Sequence, residues 1–467
     1  AVTEVAVARR FSSPTNKDPF VIWPFKPHAP LPLASKVTCE RRFAAVGRML
    51  GRDRIATPAA ITPLEFDPII KDCEAEELLT RVFGFIANRI LRNTATNVEW
   101  GDDAALTVED RTFVYRIVEK TDNPSAILFH SSLAAYPYRL AAIAATAASE
   151  YLIRSESLAA SIPKGAFEVL PTFFGFGPLM ANAALHESSE ELQLWHINNW
   201  SRNGEVSSLE HGYTMALADW SLSSSYEAVL GQLRLDAQEG LRKGIRFLTK
   251  TSDCSLAPDF LNNAPDVSTS TCIARLQARG SSVQLATVLD VHAQERITED
   301  LIPAVAGLLN HSELDIQQIA TATLGRCENL AQPLHDELLI QSQNGPITLR
   351  RAAISALRPG YENDDSVQDV LTEILFRSDA ATATACVRTF LKYETHPENL
   401  ADAVLAALTK MVLTAGTAEL VDGLTLLGKV HSDRSQVINE TFNDDPSALA
   451  IFNEILESDS STEETPA

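Results

Sequence analysis

Three histidines with acidic neighbours are the residues of this chain best suited to binding a metal ion. His186, His196 and His211 lie close to one another in the sequence. If residues 186–190 (His-Glu-Ser-Ser-Glu) form a helix, His186 and Glu190 lie one turn apart on one face, as two zinc ligands require. His196 or His211 could supply a third ligand. The segment therefore suggests a metal-dependent hydrolase, and a polar surface turn is the alternative interpretation.

Other catalytic signatures are missing from the sequence. The glycine cluster Gly175-Phe-Gly177-Pro178 lacks the lysine and the spacing of a phosphate-binding loop. No G-x-S-x-G nucleophile elbow occurs. The six cysteines are scattered without a C-x-x-C pair, so they are predicted to be reduced, small apolar residues. No cofactor is predicted.

The charge balance argues against nucleic acid and anionic lipid as partners. The chain has 39 basic and 61 acidic residues, for a net charge of −22, which repels phosphate groups. No stretch approaches the roughly 20 apolar residues of a membrane helix, and residues 1–14 lack the apolar run of a signal peptide. The sequence therefore predicts a cytoplasmic protein that contacts neither nucleic acid nor membrane.

The elements that must position these residues are mostly helices. Residues 1–36 are rich in proline and are predicted to form an extended arm. Apolar positions then recur at helical spacing through a body at 37–250, with two short strands. Residues 251–280 are polar and are predicted to connect two domains. The predicted helices are 38–50, 75–91, 140–153, 166–185, 209–221 and 225–248, and the predicted strands are 97–100 and 126–129.

A repeat appears beyond this connection. The segment Ile316–Leu324 aligns with Leu349–Leu357 at a 33-residue offset. Such a period is typical of helix pairs that bury their apolar faces by stacking, and the pattern resembles HEAT repeats. Residues 281–456 are therefore predicted to form an α-solenoid, followed by an acidic, disordered tail at 457–467. The predicted fold class is mainly α, with a helical body, a few short strands and a HEAT-like solenoid.

A wider resemblance covers 27–254. The chain resembles a bacterial family, common in planctomycetes, of HEAT-repeat proteins with a zinc-peptidase-like domain. The matching segments are Pro32–Lys36, Cys39–Phe43, Phe173–Gly177, Ala181–Ala183, Glu210–Leu217, Gly244–Leu248 and Asp253-Cys254.

The resemblance implies a metal site that this chain has lost. In the family, a helix after a Pro-x-x-Leu start carries His-Glu-x-x-His, which supplies two zinc ligands and a general base. Here the helix begins at Pro137, and residues 146–150 read Thr-Ala-Ala-Ser-Glu. Glu168 matches a family acid without partners for a metal. The resemblance therefore implies a degenerate peptidase-like body.

These observations favour a non-catalytic scaffold that binds a protein partner through its solenoid. On this hypothesis Gln317, Arg350, Arg351 and Arg388 face the partner. One alternative is a metal-dependent hydrolase that uses His186, Glu190, His196 and His211. A second is a structural subunit that self-associates into a particle. Small-ligand binding between body and solenoid is a further possibility.

Overall fold

The computed structural model describes residues 28–462 except for short gaps. The gaps are 53, 56–59, 92–95, 109–110, 119–125, 156–161, 193–194, 203, 258, 263–267, 295–296, 328–329 and 358–363. Side-chain contacts are described for these residues except 108, 111–112, 186–202 and 458–462. Most of the predicted arm, at 1–27, and the end of the predicted tail, at 463–467, lie outside the described residues.

The first half of the chain is a helical body with a small sheet. Its helices are α1 (Leu33–Leu50), α2 (Pro63–Ile70), α3 (Ala75–Ile90), α4 (Asp103–Leu106), α5 (Pro137–Ser155), α6 (Ala166–Val169), α7 (Gly177–Ala183), α8 (Ser208–Leu222) and α9 (Leu235–Lys250). Its strands are β1 (Asn97–Gly101), β2 (Thr107–Val108), β3 (Arg111–Thr112), β4 (Tyr115–Val118), β5 (Ala126–His130), β6 (Leu185–Leu192) and β7 (Trp195–Arg202).

The two predicted strands pair with each other. β1 runs parallel to β5, and β4 pairs with β5 in the antiparallel direction, so the sheet order is β1-β5-β4. Helices α3 and α5 pack beside this sheet. The strand predictions at 97–100 and 126–129 are therefore confirmed. The prediction of a mainly α fold is also confirmed.

Two predicted helices of the body are interrupted. The segment 166–185 divides into α6, a 3-10 segment (Leu170–Phe174) and α7, because Pro171 and Gly175, which has φ of 91°, do not continue an α-helix. The segment 225–248 divides into a 3-10 segment (Tyr226–Gln232) and α9, with extended backbone at Leu233. The first interruption leaves α6 and α7 both packed against α5, and the second separates α8 from α9, which pack directly against each other.

Small residues allow the closest helix contacts of the body. Helices α8 and α9 cross at glycines: a Cβ atom built on Gly212 would lie 2.3 Å from the Ala237 carbonyl oxygen. A Cβ built on Gly240 would lie 2.3 Å from the Leu209 carbonyl oxygen. Helix α5 also has buried alanines, among them Ala141 and Ala144, and it packs against α3 and α7. Backbone-to-backbone packing fixes the spacing of α8 and α9.

The second half is a stack of helix pairs. Its helices are α10 (Thr269–Leu276), α11 (Ser281–His292), α12 (Ile302–Ala306), α13 (Leu314–Leu324), α14 (Gln332–Asn344), α15 (Ile347–Ala356), α16 (Asp365–Arg377), α17 (Ala380–Phe390), α18 (Leu400–Met411), α19 (Thr417–Val430), α20 (Arg434–Thr441) and α21 (Pro446–Thr462).

One row of helices continues through the stack. Helices α11, α13, α15, α17 and α19 each pack against the next member of the row, and each also packs against the helix that precedes it in the chain. The first four begin at Ser281, Leu314, Ile347 and Ala380, so their starting positions are evenly spaced along the sequence. The structure therefore contains the 33-residue offset found in the sequence.

Cations connect successive layers of this stack. Arg326 donates to the Gln294 carbonyl at 2.7 Å, and Lys410 donates to the Phe376 carbonyl at 2.6 Å. Lys429 donates to the Leu391 carbonyl at 2.9 Å. Each acceptor lies at or just beyond the C-terminus of a helix in the preceding layer, where unpaired carbonyls favour a positive charge.

The predicted connection at 251–280 is packed against both halves. The buried ammonium of Lys36 contacts a carboxylate oxygen of Glu40 at 3.0 Å and the Asp253 carbonyl at 2.7 Å, and it also donates to Ser282 Oγ. Glu40 in turn accepts from Ser255. The segment therefore contributes to a buried polar joint. Helix α10 forms within it.

The ends of the described region differ from the predicted boundaries. Helix α1 begins at Leu33, so the end of the predicted arm, at 33–36, is helical. Helix α21 continues to Thr462, beyond the predicted start of the tail at 457. None of the helices described is both long and apolar enough to cross a membrane.

Candidate functional site

A cleft with two lobes opens on the surface of the body, and we call it the body cleft. The larger lobe, about 540 Å³, lies between the start of α5 and the end of α7. The smaller lobe, about 290 Å³, lies between β4, α5, α6 and α8. Arg139 and Ala183 line both lobes, so the lobes adjoin at these residues.

Two of the positions at which the resemblance places the family's metal site, Thr146 and Glu168, line the smaller lobe. Thr146 lines the lobe, and its hydroxyl donates to the Ala142 carbonyl at 3.0 Å within α5. Glu150, one turn further along α5, accepts a hydrogen bond from Tyr115 and pairs with Arg154. Burial, followed by the charge of Glu150, raises the pKa of the Tyr115 phenol. Glu150 is therefore tied to two side chains.

Glu168 supports a backbone turn beside the cleft. Its carboxylate accepts from the Glu205 amide at 2.9 Å and from the Val206 amide at 3.0 Å. A Cβ at Gly204, where φ is 81°, would lie 2.4 Å from a carboxylate oxygen, so this turn requires glycine. Burial raises the pKa of Glu168, and the two backbone hydrogen bonds oppose that shift. Glu168 thus holds the chain that leads into α8.

The four residues of the predicted metal site do not share a helix. His186 and Glu190 lie on β6, so their separation along extended chain is about 13 Å instead of one helical turn. The register pairs His186 with Ser201 and Glu191 with His196, at different positions along the hairpin. The helical arrangement on which the prediction rested is therefore wrong. The side chains of His186, Glu190 and His196 lie outside the described contacts.

His211 belongs to a different element from the other three. It lies on α8, is buried, and lines the smaller lobe of the body cleft. Among the residues with described side chains, no group of three or more His, Cys, Asp or Glu is arranged to hold a metal ion. In this structure His211 is a lining residue of the body cleft.

The stack of helix pairs carries a second concave region, which we call the solenoid groove. It lies between α13 and α15, has a volume of about 510 Å³, and has a floor of small residues. Three cations line it: Arg326, Arg351 and Lys392. The floor residues are Ala322, Gly325, Ala352, Ser355 and Ala356.

Of the four residues predicted to face a partner, Arg351 lines this groove. Arg351 also donates to Asp379 at 2.8 Å, which connects α15 to the start of α17. Gln317 donates to the His311 carbonyl, and Arg350 is half-buried on α15. Arg388 is exposed and pairs with Asp422 at 2.8 Å on α19. Arg351 and Arg388 thus connect successive layers as well as presenting charge.

Sequence reasoning missed Arg139, Arg326 and Lys392. The signal for Arg139 was its position two residues after Pro137, at the start of a helix. The signal for Arg326 was its place just after the repeat helix α13, and Lys392 occupies the same place after α17. These three residues are far apart in the sequence. The body cleft and the solenoid groove that they line form only when distant elements pack.

Comparisons of the chain with family models, with curated proteins and with solved structures give no match in any of the three.

Proposed function

We propose that this protein is a non-catalytic scaffold whose HEAT-like solenoid binds an extended, acidic segment of a protein partner in the solenoid groove. The observation that carries the proposal is a cationic groove on a chain whose net charge is −22. Opposite charges steer partners together and fix the register of binding. The groove therefore favours an acidic partner.

The dimensions of the groove support an extended segment. Helix α13 has 11 residues and α15 has 10, so the groove is about 16 Å long. That length accommodates about five residues of extended chain. The floor of alanine, glycine and serine leaves room for the backbone of the partner. Lys392, which is exposed, can pair with an acidic side chain of the partner, while Arg326 and Arg351 also bond to the Gln294 carbonyl and to Asp379.

The test uses a library of random peptides selected against the whole chain. We expect the enriched peptides to be acidic and extended. Lys392→Glu reverses a rim charge at an exposed position, and Ala352→Trp fills the floor. Each change should weaken the selected peptides at least tenfold, or by about 1.4 kcal/mol. Lys243→Glu, at an exposed position on α9 of the body, is the matched control and should leave affinity unchanged.

Two results would contradict the proposal. The first is a selection that enriches no acidic peptide, or peptides that bind the Lys392→Glu and Ala352→Trp variants as well as the parent chain. The second is a mass measurement that shows a closed oligomer in which Ala352→Trp disrupts assembly. That outcome would favour the alternative of a self-associating structural subunit.

A further inference from the structure

The body cleft is a second site, separate from the solenoid groove. Its two lobes have volumes of about 540 and 290 Å³ and adjoin at Arg139 and Ala183. This size is within the range of pockets that bind small molecules. A peptide bound between α13 and α15 does not require the body cleft, so the proposed function leaves it unexplained.

The walls of the cleft are mainly apolar. In the smaller lobe, Ile143, Phe167 and Met180 supply aliphatic, aromatic and thioether surface. In the larger lobe, Tyr136 and Tyr138 present rings that are about two-fifths exposed. Exposed aromatic rings beside an apolar cavity favour a ligand that has an apolar body.

Charge in the cleft is concentrated at one position. Arg139 is the single arginine or lysine among the lining residues described for the two lobes, and it is half-buried where they adjoin. The one carboxylate among those lining residues, Glu168, is directed to the Glu205 and Val206 amides. A guanidinium has five N–H donors in a planar fork, so it can bind an oxyanion while keeping a bond to the protein.

The electrostatics of Arg139 agree with this assignment. Burial lowers the pKa of Arg139 from its usual value because the cation has lost part of its solvent. An oxyanion placed against the guanidinium would stabilise its charged form. The position of Arg139 where the lobes adjoin therefore favours an anionic group there, and the walls on either side favour apolar groups.

We propose that the body cleft binds a small organic anion, with one carboxylate or phosphate group on Arg139 and an apolar body in the adjoining lobes. The ligand class is set by shape and charge together. A neutral apolar molecule would not use the charge of Arg139, and an inorganic anion would leave the apolar walls in contact with water.

The test compares three probes that share one apolar body. Binding of 2-naphthoate, 2-naphthyl phosphate and the neutral 2-naphthylmethanol to the full chain is measured by titration calorimetry. We expect at least one anion to bind at one site per chain and at least tenfold more tightly than the alcohol. The tighter of the two anions identifies the preferred head group. Absence of binding by both anions, or equal binding by the alcohol, would contradict the proposal.

Variants locate the site. Arg139→Gln should lower the affinity for the anion to that of the neutral alcohol, whereas Arg116→Gln, which removes an arginine of β4 that does not line the cleft, should leave it unchanged. If Arg139→Gln does not fold, Arg139→Lys keeps the charge without the fork and should weaken the anion severalfold. Ala183→Phe should block both lobes. Anion binding that survives both the Arg139 and the Ala183 changes would place the ligand elsewhere.

Discussion

The body and the helical stack bury their polar groups in different ways. In the stack, several buried threonines bond within their own helix or to the neighbouring layer, as Thr389 does with the Ile354 carbonyl at 3.0 Å. In the body, buried charges bond across long stretches of sequence: Tyr213 donates to Glu40 at 2.8 Å, 173 residues away. The stack thus repeats contacts between neighbouring layers, whereas the body includes buried bonds between residues far apart in the sequence.

This difference predicts where single substitutions act most strongly. A change in the stack disturbs one layer and its neighbours. A change to a buried charge in the body leaves its partner without compensation in a water-poor environment. The following predictions test that contrast, in order of decreasing effect.

The largest effect is expected at the joint between the two halves. Glu40→Gln removes the buried negative charge beside Lys36 and should lower the free energy of unfolding by about 3–5 kcal/mol. Glu239→Gln, in an exposed pair with Lys243 at the same i,i+4 spacing, is the control. It should change stability by at most about 0.5 kcal/mol. Equal effects in urea denaturation would contradict the proposed role of burial.

The next effect is expected at the crossing of α8 and α9. Gly240→Ala places a methyl group against the Leu209 carbonyl and should destabilise the protein by about 3 kcal/mol, at the upper end for overpacking. Gly84→Ala, on α3, meets no atom within 4 Å. It should stabilise the protein by up to about 1 kcal/mol, because alanine favours helix. A neutral Gly240→Ala in thermal unfolding would show that the helices can separate without cost.

A smaller effect is expected at Glu168. Glu168→Ala removes the acceptor of two backbone amides and should cost about 2 kcal/mol. Glu168→Gln keeps an acceptor and serves as the control. Because burial raises the folded-state pKa above its ordinary value of 4.5, the native state binds more protons than the unfolded state above that pH.

The sign of the pH dependence follows from this difference. The contribution of Glu168 is most favourable below pH 4.5 and declines as the pH rises through its folded-state pKa. The stability of the parent chain should therefore fall relative to that of Glu168→Gln over this window. Denaturation curves of both proteins across the window measure the trend, and an opposite slope would mean that the two hydrogen bonds outweigh burial.

The smallest effect is expected between layers of the stack. Arg388→Ala removes an exposed pair with Asp422 and should cost less than about 1 kcal/mol. The loss should shrink further at high salt, because exposed charges are screened. Hydrogen exchange should show the change mainly in α17 and α19. If amide protection against exchange were lost throughout the body, the effect of the substitution would not be limited to one layer and its neighbours.

Local patterns in the sequence predicted much of the fold. The offset between Ile316 and Leu349 follows from apolar spacing, and the structure has the same 33-residue step from Leu314 to Ile347. The strands at 97–100 and 126–129 could be predicted because the first segment alternates polar and apolar residues and the second is a short apolar run. Helical and strand periodicity are properties of neighbouring residues, so the sequence alone contains them.

The hairpin of β6 and β7 was not predicted, for a local reason. Residues 186–191 read His-Glu-Ser-Ser-Glu-Glu, with no apolar alternation to indicate a strand. The sequence suggested a helical metal site because histidine and glutamate stand four positions apart. Strand pairing from Leu185 to Leu192 places that spacing on extended chain instead.

The body cleft and the solenoid groove could not be predicted from the sequence, for a different reason. Thr146 and His211 line one lobe although they lie on separate helices far apart in the chain, and Glu168 accepts hydrogen bonds from a turn that follows much later in the sequence. These contacts depend on how α5, α6 and α8 pack together. Of the residues predicted to bind a partner, Arg351 alone lines the solenoid groove. Gln317 and Arg350 lie elsewhere on α13 and α15, and Arg388 lies on α17.

Helix α1 belongs to both halves of the molecule, and this has a consequence for the timing of folding. Val37 packs in the core of the stack, whereas Cys39 and Phe43 pack in the core of the body. Lys36 meets its partner Ser282 only after a further 246 residues have been made. At about 5–20 residues per second, synthesis of these 246 residues takes roughly 12–50 s, and the contact cannot form earlier. During this interval the nascent chain holds a charged lysine whose final environment does not yet exist.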